Sequence, residues 1–167
     1  MMHDIRSILL LLFLMPAISL AQTIHTEKDK ILYTGKIKLQ ASSDGYNQSK
    51  SFLLYNANPD SIKEERANKK ITSINMIKLP SPYHLQKFLR FKLKLESDGD
   101  AVHYQIDGVQ LLLHERGEKD KVLTSEELLK GMDESGNTSR DAEKVLNEID
   151  MYIQQFIVKM QSSFRSE

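Results

Sequence analysis

The sequence predicts an α+β fold: a curved antiparallel sheet in the order β-α-β-β-β-β, packed against a long C-terminal helix. Three observations carry this. Leu89, Phe91, Leu93 and Leu95 alternate with Arg90, Lys92, Lys94 and Glu96, the period-two pattern of a strand with one face on a core and the other in water. Near the C-terminus, Ala142, Val145, Leu146, Ile149, Ile153, Phe156, Ile157, Met160 and Phe164 instead follow the i, i+3, i+4 spacing of an amphipathic helix. Between them lies "YQIDGVQLLLHERG", Tyr104 to Gly117, where the apolar parity changes. Val102, Tyr104 and Ile106 are in phase with one another, while Val109, Leu111 and Leu113 follow in the opposite phase.

The change of phase has two readings, a hairpin turn at Asp107-Gly108 or one long strand that absorbs an extra residue. A turn would leave only Ala101 to Ile106 to cover the strand that begins at Leu85. A β-bulge at Asp107-Gly108 keeps the pairing going and returns Val109, Leu111 and Leu113 to the core side. The bulge is favoured. It also bends the sheet, and a bent sheet can wrap a helix.

The remaining elements follow in chain order. "MMHDIRSILLLLFLMPAISLAQT" has Arg6, an apolar run from Ile8 to Met15, Pro16, and small residues at Ser19 and Ala21, the layout of a secretory signal peptide cut after Ala21. The run is shorter than the ~20 residues that span a bilayer. Residues 1–21 therefore read as a signal peptide and 22–167 as a single α+β domain, with its sheet region at 28–115. Ile31, Tyr33, Ile37 and Leu39 share a parity and predict the first strand. "SSDGYNQSKSFLLYNANPD" places Tyr46, Phe52, Leu53 and Ala57 at loose helical spacing, closed by Asn58-Pro59.

From Ser61 to Leu79 the sequence is ambiguous between a charged helical turn and a hairpin bending at Ala67-Asn68 into a strand from Ile71. Pro80 and Pro82 end whatever precedes them. Ser97-Asp98-Gly99-Asp100 is a tight turn by composition. Thr124-x-x-Glu127 has the form of a capping box and opens a short helix at 124–131, which Gly131 would stop. The long helix is expected at 139–164, about 25 residues and about 40 Å.

Composition narrows the function classes. The 167 residues are 40% hydrophobic and 28% charged, and Lys plus Arg balance Asp plus Glu at 23 each. Zero net charge argues against a nucleic-acid partner and against membrane attraction through bulk charge. There are no cysteines, so packing alone stabilises the domain. Gln22 stands where a lipid-bearing cysteine would be needed, so the exported product, periplasmic or secreted, is not expected to be lipid-anchored, and its mature chain has no transmembrane segment.

Catalytic patterns are missing. The five histidines include no i, i+4 pair, and His103 and His114 read as strand-surface residues. "DESGNTSRDAEK", Asp133 to Lys144, superficially resembles a calcium loop, but Thr138 and Lys144 stand where glycine and a bidentate glutamate are required. No serine lies in a Gly-x-Ser-x-Gly elbow, and no phosphate-binding glycine loop is present. Glu64-Glu65 and Glu126-Glu127 fall in polar runs, where adjacent carboxylates are seldom an acid/base pair. The expectation is no enzyme, no cofactor and no metal. The only arranged charge is Arg90, Lys92 and Lys94, aligned by strand spacing on one face, and these three are the candidate interaction residues.

The stretches "DKILYTGKIKL", "GYNQSKSFLLY" and "RFKLKLESDGDAVHYQIDGVQL", together with the leader, resemble an exported bacterial family, domain-of-unknown-function family 4468, with a TATA-binding-protein-like (TBP-like) fold. The resemblance covers roughly Lys28 to Glu115. It implies the hairpin for Ser61 to Leu79 and a continuous strand through Gly108, and it brings no activity, cofactor or catalytic residue. The function expected from all this is a non-catalytic module that binds another envelope protein or a peptide. The alternative is a carrier of a small apolar ligand held between sheet and helix by Phe91, Leu93, Tyr104, Leu111, Phe156 and Met160.

Overall fold

The computed structural model describes residues 25–27, 30–40, 43–133 and 140–164. The leader, including the predicted cleavage after Ala21, lies outside the described residues, as do residues 134–139 of the Asp133–Lys144 stretch. The elements are β1 (His25–Glu27), β2 (Lys30–Lys38), α1 (Gly45–Asn56), β3 (Lys63–Glu65), β4 (Lys70–Leu79), β5 (Leu85–Asp98), β6 (Ala101–Glu115), β7 (Lys121–Thr124), α2 (Ser125–Asp133) and α3 (Arg140–Ser163). The strands form one seven-stranded antiparallel sheet in the order β1-β2-β6-β5-β4-β3, with β7 also paired to β6.

The long strand exists as predicted. β6 pairs with β5 from Ala101↔Asp98 to Glu115↔Leu85, and the register shifts once, where Arg90 faces Gln110 but Lys92 faces Asp107. Phe91 thus faces two residues, Gly108 and Val109. Gly108 adopts φ 62°, the left-handed conformation that defines this kind of bulge. The Val109 carbonyl accepts the Ser125 hydroxyl at 2.8 Å, so a buried backbone group at the bulge finds a partner at the start of α2.

The bulge has a second consequence. β5 occupies one edge of β6 throughout, while the other edge is shared end to end by β2, opposite Ala101–Ile106, and β7, opposite Gln110–Leu113. The sheet therefore extends beyond the predicted 28–115 region. β7 is only "KVLT", too short for alternation to announce it, and it is ordered by its partner rather than by its own pattern.

The hairpin reading of Ser61 to Leu79 holds: β3 pairs with β4 around a bend at Arg66–Asn68, with Lys69 in the left-handed region (φ 48°). The capping box forms in both directions, Thr124 N–H donating to Glu127 Oε2 at 2.8 Å and Glu127 N–H to Thr124 Oγ1 at 3.3 Å. Its helix runs on to Asp133, past the predicted stop at Gly131. A glycine in a helix costs only about 1 kcal/mol relative to alanine, too little to end the helix by itself.

Among the described residues, helices cover one face of the sheet and not the other. Phe52 and Leu53 of α1, Leu128 of α2, and Ile149, Ile153, Phe156, Ile157 and Met160 of α3 join Leu89, Phe91, Leu93, Leu95, Tyr104 and Ile106 in a single buried core. Phe156 is its hinge point, its ring meeting Phe91 of β5 edge-on at 5.1 Å and Phe52 of α1 at 5.6 Å. Two polar contacts also tie α3 to the sheet. The buried Tyr33 hydroxyl donates to Asp150 Oδ1 at 3.1 Å, and Lys87 Nζ lies 3.4 Å from Glu148 Oε2.

Candidate functional site

β5 carries opposite chemistry on its two faces because side chains alternate. Leu89, Phe91, Leu93 and Leu95 enter the core, which leaves Phe88, Arg90, Lys92 and Lys94 on the outer face. Cross-strand pairing sets their neighbours. Arg90 lies between Met76 of β4 and Gln110 of β6, and Lys92 between Ile74 and Asp107. Phe88, Leu112 and Val122 form an apolar row across β5, β6 and β7, with Lys78 at its β4 end. Met76 and Val122 are exposed by 55% and 45%, while Phe88, Leu112 and Ile74 are half-buried.

The three predicted cations share this face but not one state. Lys94 Nζ lies 3.3 Å from Asp107 Oδ2, and Asp107 Oδ2 also accepts from Gln105 Nε2 at 2.7 Å. Lys94 is thus committed within the sheet. Arg90 and Lys92 have no hydrogen-bond or ion-pair partner among the described residues. Toward the far end of the face Lys36 and Lys70 add positive charge and Glu96 removes some, so an electrically neutral chain presents a locally cationic surface.

Reading the alternation identified the cations and missed the apolar row. The signal was present in the sequence, for Phe88-Leu89 and Leu111-Leu112-Leu113 are consecutive apolar residues in strands, and neighbours in a strand cannot all face the core.

Other polar groups serve the architecture. Glu64 accepts from the Tyr46 hydroxyl at 2.8 Å and lies 2.8 Å from Lys50 Nζ and 3.5 Å from Arg66 Nε, which links α1 to β3. The Lys50 hydrogen bond, then that of Tyr46, holds its carboxyl below the usual carboxylate range. His103 and His114 are both exposed, and His114 Nδ1 pairs with Asp120. Among the described residues, no group of three or more His, Cys, Asp or Glu side chains is arranged to hold a metal ion. Nor is any described helix long and apolar enough to cross a membrane.

The residues named for an apolar ligand are packed on one another. Phe91, Leu93, Tyr104, Leu111, Phe156 and Met160 are all buried, with Phe91 and Phe156 in ring contact. Clefts among the described residues open on the surface instead. One of about 710 Å³ lies where β2 and β7 meet the bulge, against Asp107, Gly108 and Ser125; one of about 570 Å³ lies beside Pro80, Pro82, Tyr83 and Tyr152; one of about 470 Å³ lies on the outer face beside Lys36, Lys94 and His103. Phe91, Leu93, Leu111, Phe156 and Met160 line none of them.

A search of solved structures finds the same arrangement elsewhere. A TBP-like protein from Parabacteroides distasonis superposes with a TM-score of 0.65 at 9% identity, over 84% of this chain and 96% of its own. The fold is TBP-like. A DUF4468 family protein from Bacteroides ovatus superposes with a TM-score of 0.62 at 12% identity, over 86% of this chain and 91% of its own. No protein-family model matches the sequence, and no curated protein matches it. The TBP-like sheet is thus shared across chains with little sequence in common, which bears on the fold and leaves the chemistry of the outer face to this chain's own residues.

Proposed function

We propose that this chain is an exported, non-catalytic interaction module whose outer sheet face binds another protein or a peptide of the cell envelope. One observation carries the reading. The three described helices pack on the inner face, while among the described residues no helix covers the outer face, where apolar side chains lie beside Arg90 and Lys92, two cations with no ion-pair partner among those residues. An apolar patch rimmed by charge on an otherwise polar surface is the usual composition of an interface. Export rests on the leader, Met1 to Ala21.

The test is photo-crosslinking in the producing cell, with a benzoylphenylalanine placed at Met76 and, as a control, at an exposed residue outside the outer face such as Tyr55. A discrete adduct from Met76 alone supports the reading. A chain that stays alone from both positions overturns it. N-terminal sequencing of the same material should begin at Gln22, and retention of the leader would remove the exported part of the proposal.

A further inference from the structure

The partner's chemistry can be read from how the sheet already binds a helix. On the inner face, α3 docks through an apolar stripe and sets acidic side chains beside it: Glu148 reaches Lys87 of β5 at 3.4 Å, and Asp150 accepts from Tyr33 of β2. The outer face repeats those elements, and among the described residues no helix lies on it. Phe88 and Leu112 provide the apolar row, Met76 lies beside it, and Arg90 and Lys92 follow Lys87 by three and five residues on the opposite face of the same strand.

The strands spend their backbone hydrogen bonds sideways, on one another, so a face of the sheet offers a ligand only side chains. A partner lying on it must satisfy its own backbone, and a helix does so internally. Arg90 and Lys92, without an ion-pair partner among the described residues, would favour carboxylates on whatever desolvates them. Arg90 and Lys92 are successive outward residues, about 6.7 Å apart along the strand, close to the separation of two carboxylates one helical turn apart. We propose that the outer face binds an amphipathic helix of a partner protein, its apolar stripe on Phe88, Leu112 and Met76 and its flanking carboxylates on Arg90 and Lys92. This rests on the interaction role proposed above and adds the class of partner. Lys94 takes no part, because Asp107 already holds it.

The test uses fluorescence anisotropy with the full chain and a synthetic helical peptide carrying a leucine stripe flanked by glutamates. The comparison probes are the same peptide with glutamine for glutamate, a scrambled peptide of equal charge, phosphatidylglycerol vesicles and a DNA duplex. The expected result is binding of the striped acidic peptide, weakened about tenfold or more by glutamine, by scrambling, and by the R90E/K92E double variant. Both substituted residues lie on the surface, and circular dichroism would check that the variant is folded.

Equal binding of the scrambled peptide would overturn the helix, and indifference to R90E/K92E would overturn the site. Tighter binding of vesicles or DNA than of peptide would replace the partner class. If the peptide fails to bind while Met76 still yields a crosslinked protein, the acidic helix is overturned and the interaction role survives. If neither occurs, both fall.

Discussion

The phenol of Tyr104 occupies the space into which a side chain on Gly35 would project, and the two residues are cross-strand partners on β6 and β2. β2 can therefore leave its inner face bare at Gly35 without opening a void, because its neighbour's ring covers the gap. A Cβ at Gly35 would fall on the ring itself. Gly35→Ala is expected to destabilise the domain by about 1–3 kcal/mol through overpacking. Chemical denaturation would measure it, and a double-mutant cycle with Tyr104→Leu should return part of the loss. Additive costs would mean that the ring is not the obstacle.

At Gly108 the physical cause is different. The nearest atom to an added Cβ would be Lys92 Cβ at 3.9 Å, an ordinary contact, so the constraint lies in φ 62° rather than in space. Gly108→Val should cost about 1–3 kcal/mol. Gly108→Asn should cost clearly less, since asparagine tolerates the left-handed region better than a β-branched residue. Equal losses from the two substitutions, read from urea midpoints, would argue against backbone strain.

Tyr33 predicts a pH dependence. Burial first, then the charge of Asp150 and the hydrogen bond to it, raise its phenol above the ordinary 10.0. The folded state therefore holds that proton more tightly than the unfolded chain does. The contribution to stability is complete below about pH 10, where tyrosine in the unfolded chain ionises, and falls as the pH rises beyond it. Tyr33→Phe should cost about 1 kcal/mol near neutrality through the lost hydrogen bond. Denaturation at about pH 8 and about pH 11 should show a smaller alkaline loss in the variant than in the parent. Parallel losses would exclude Tyr33 as the titrating group.

The capping box offers a more local test. Thr124→Ala removes the hydroxyl that accepts from Glu127 N–H and should cost about 1 kcal/mol, whereas Glu127→Gln keeps the capping-box pattern and should cost less. Hydrogen exchange at the first amides of α2 would report the difference, and unchanged protection in Thr124→Ala would show that the cap is dispensable.

On the outer face, Lys92→Gln should shift folding stability by no more than about 0.5 kcal/mol, because Lys92 has no hydrogen-bond or ion-pair partner among the described residues. A larger loss would reveal a structural contact for this side chain.

Much of this protein was legible from its sequence. Alternation in β5, the change of phase at Asp107-Gly108, the helical spacing of Ile149 to Phe164 and the Thr124–Glu127 pair are local patterns, and secondary structure answers to local spacing. They determined which side of each element is buried and made the bulge the economical reading. Spacing states which way a side chain faces but not what stands opposite, since that depends on register between residues distant in the chain. Tertiary structure alone decided that β2 and β7 share one edge of β6, that Tyr104 covers Gly35, and that Asp107 holds Lys94. It likewise decided that Lys87 meets Glu148 on the inner face while Arg90 and Lys92, three and five residues further along the same strand, have no such partner among the described residues on the outer one, because the described helices cover only one side of the sheet.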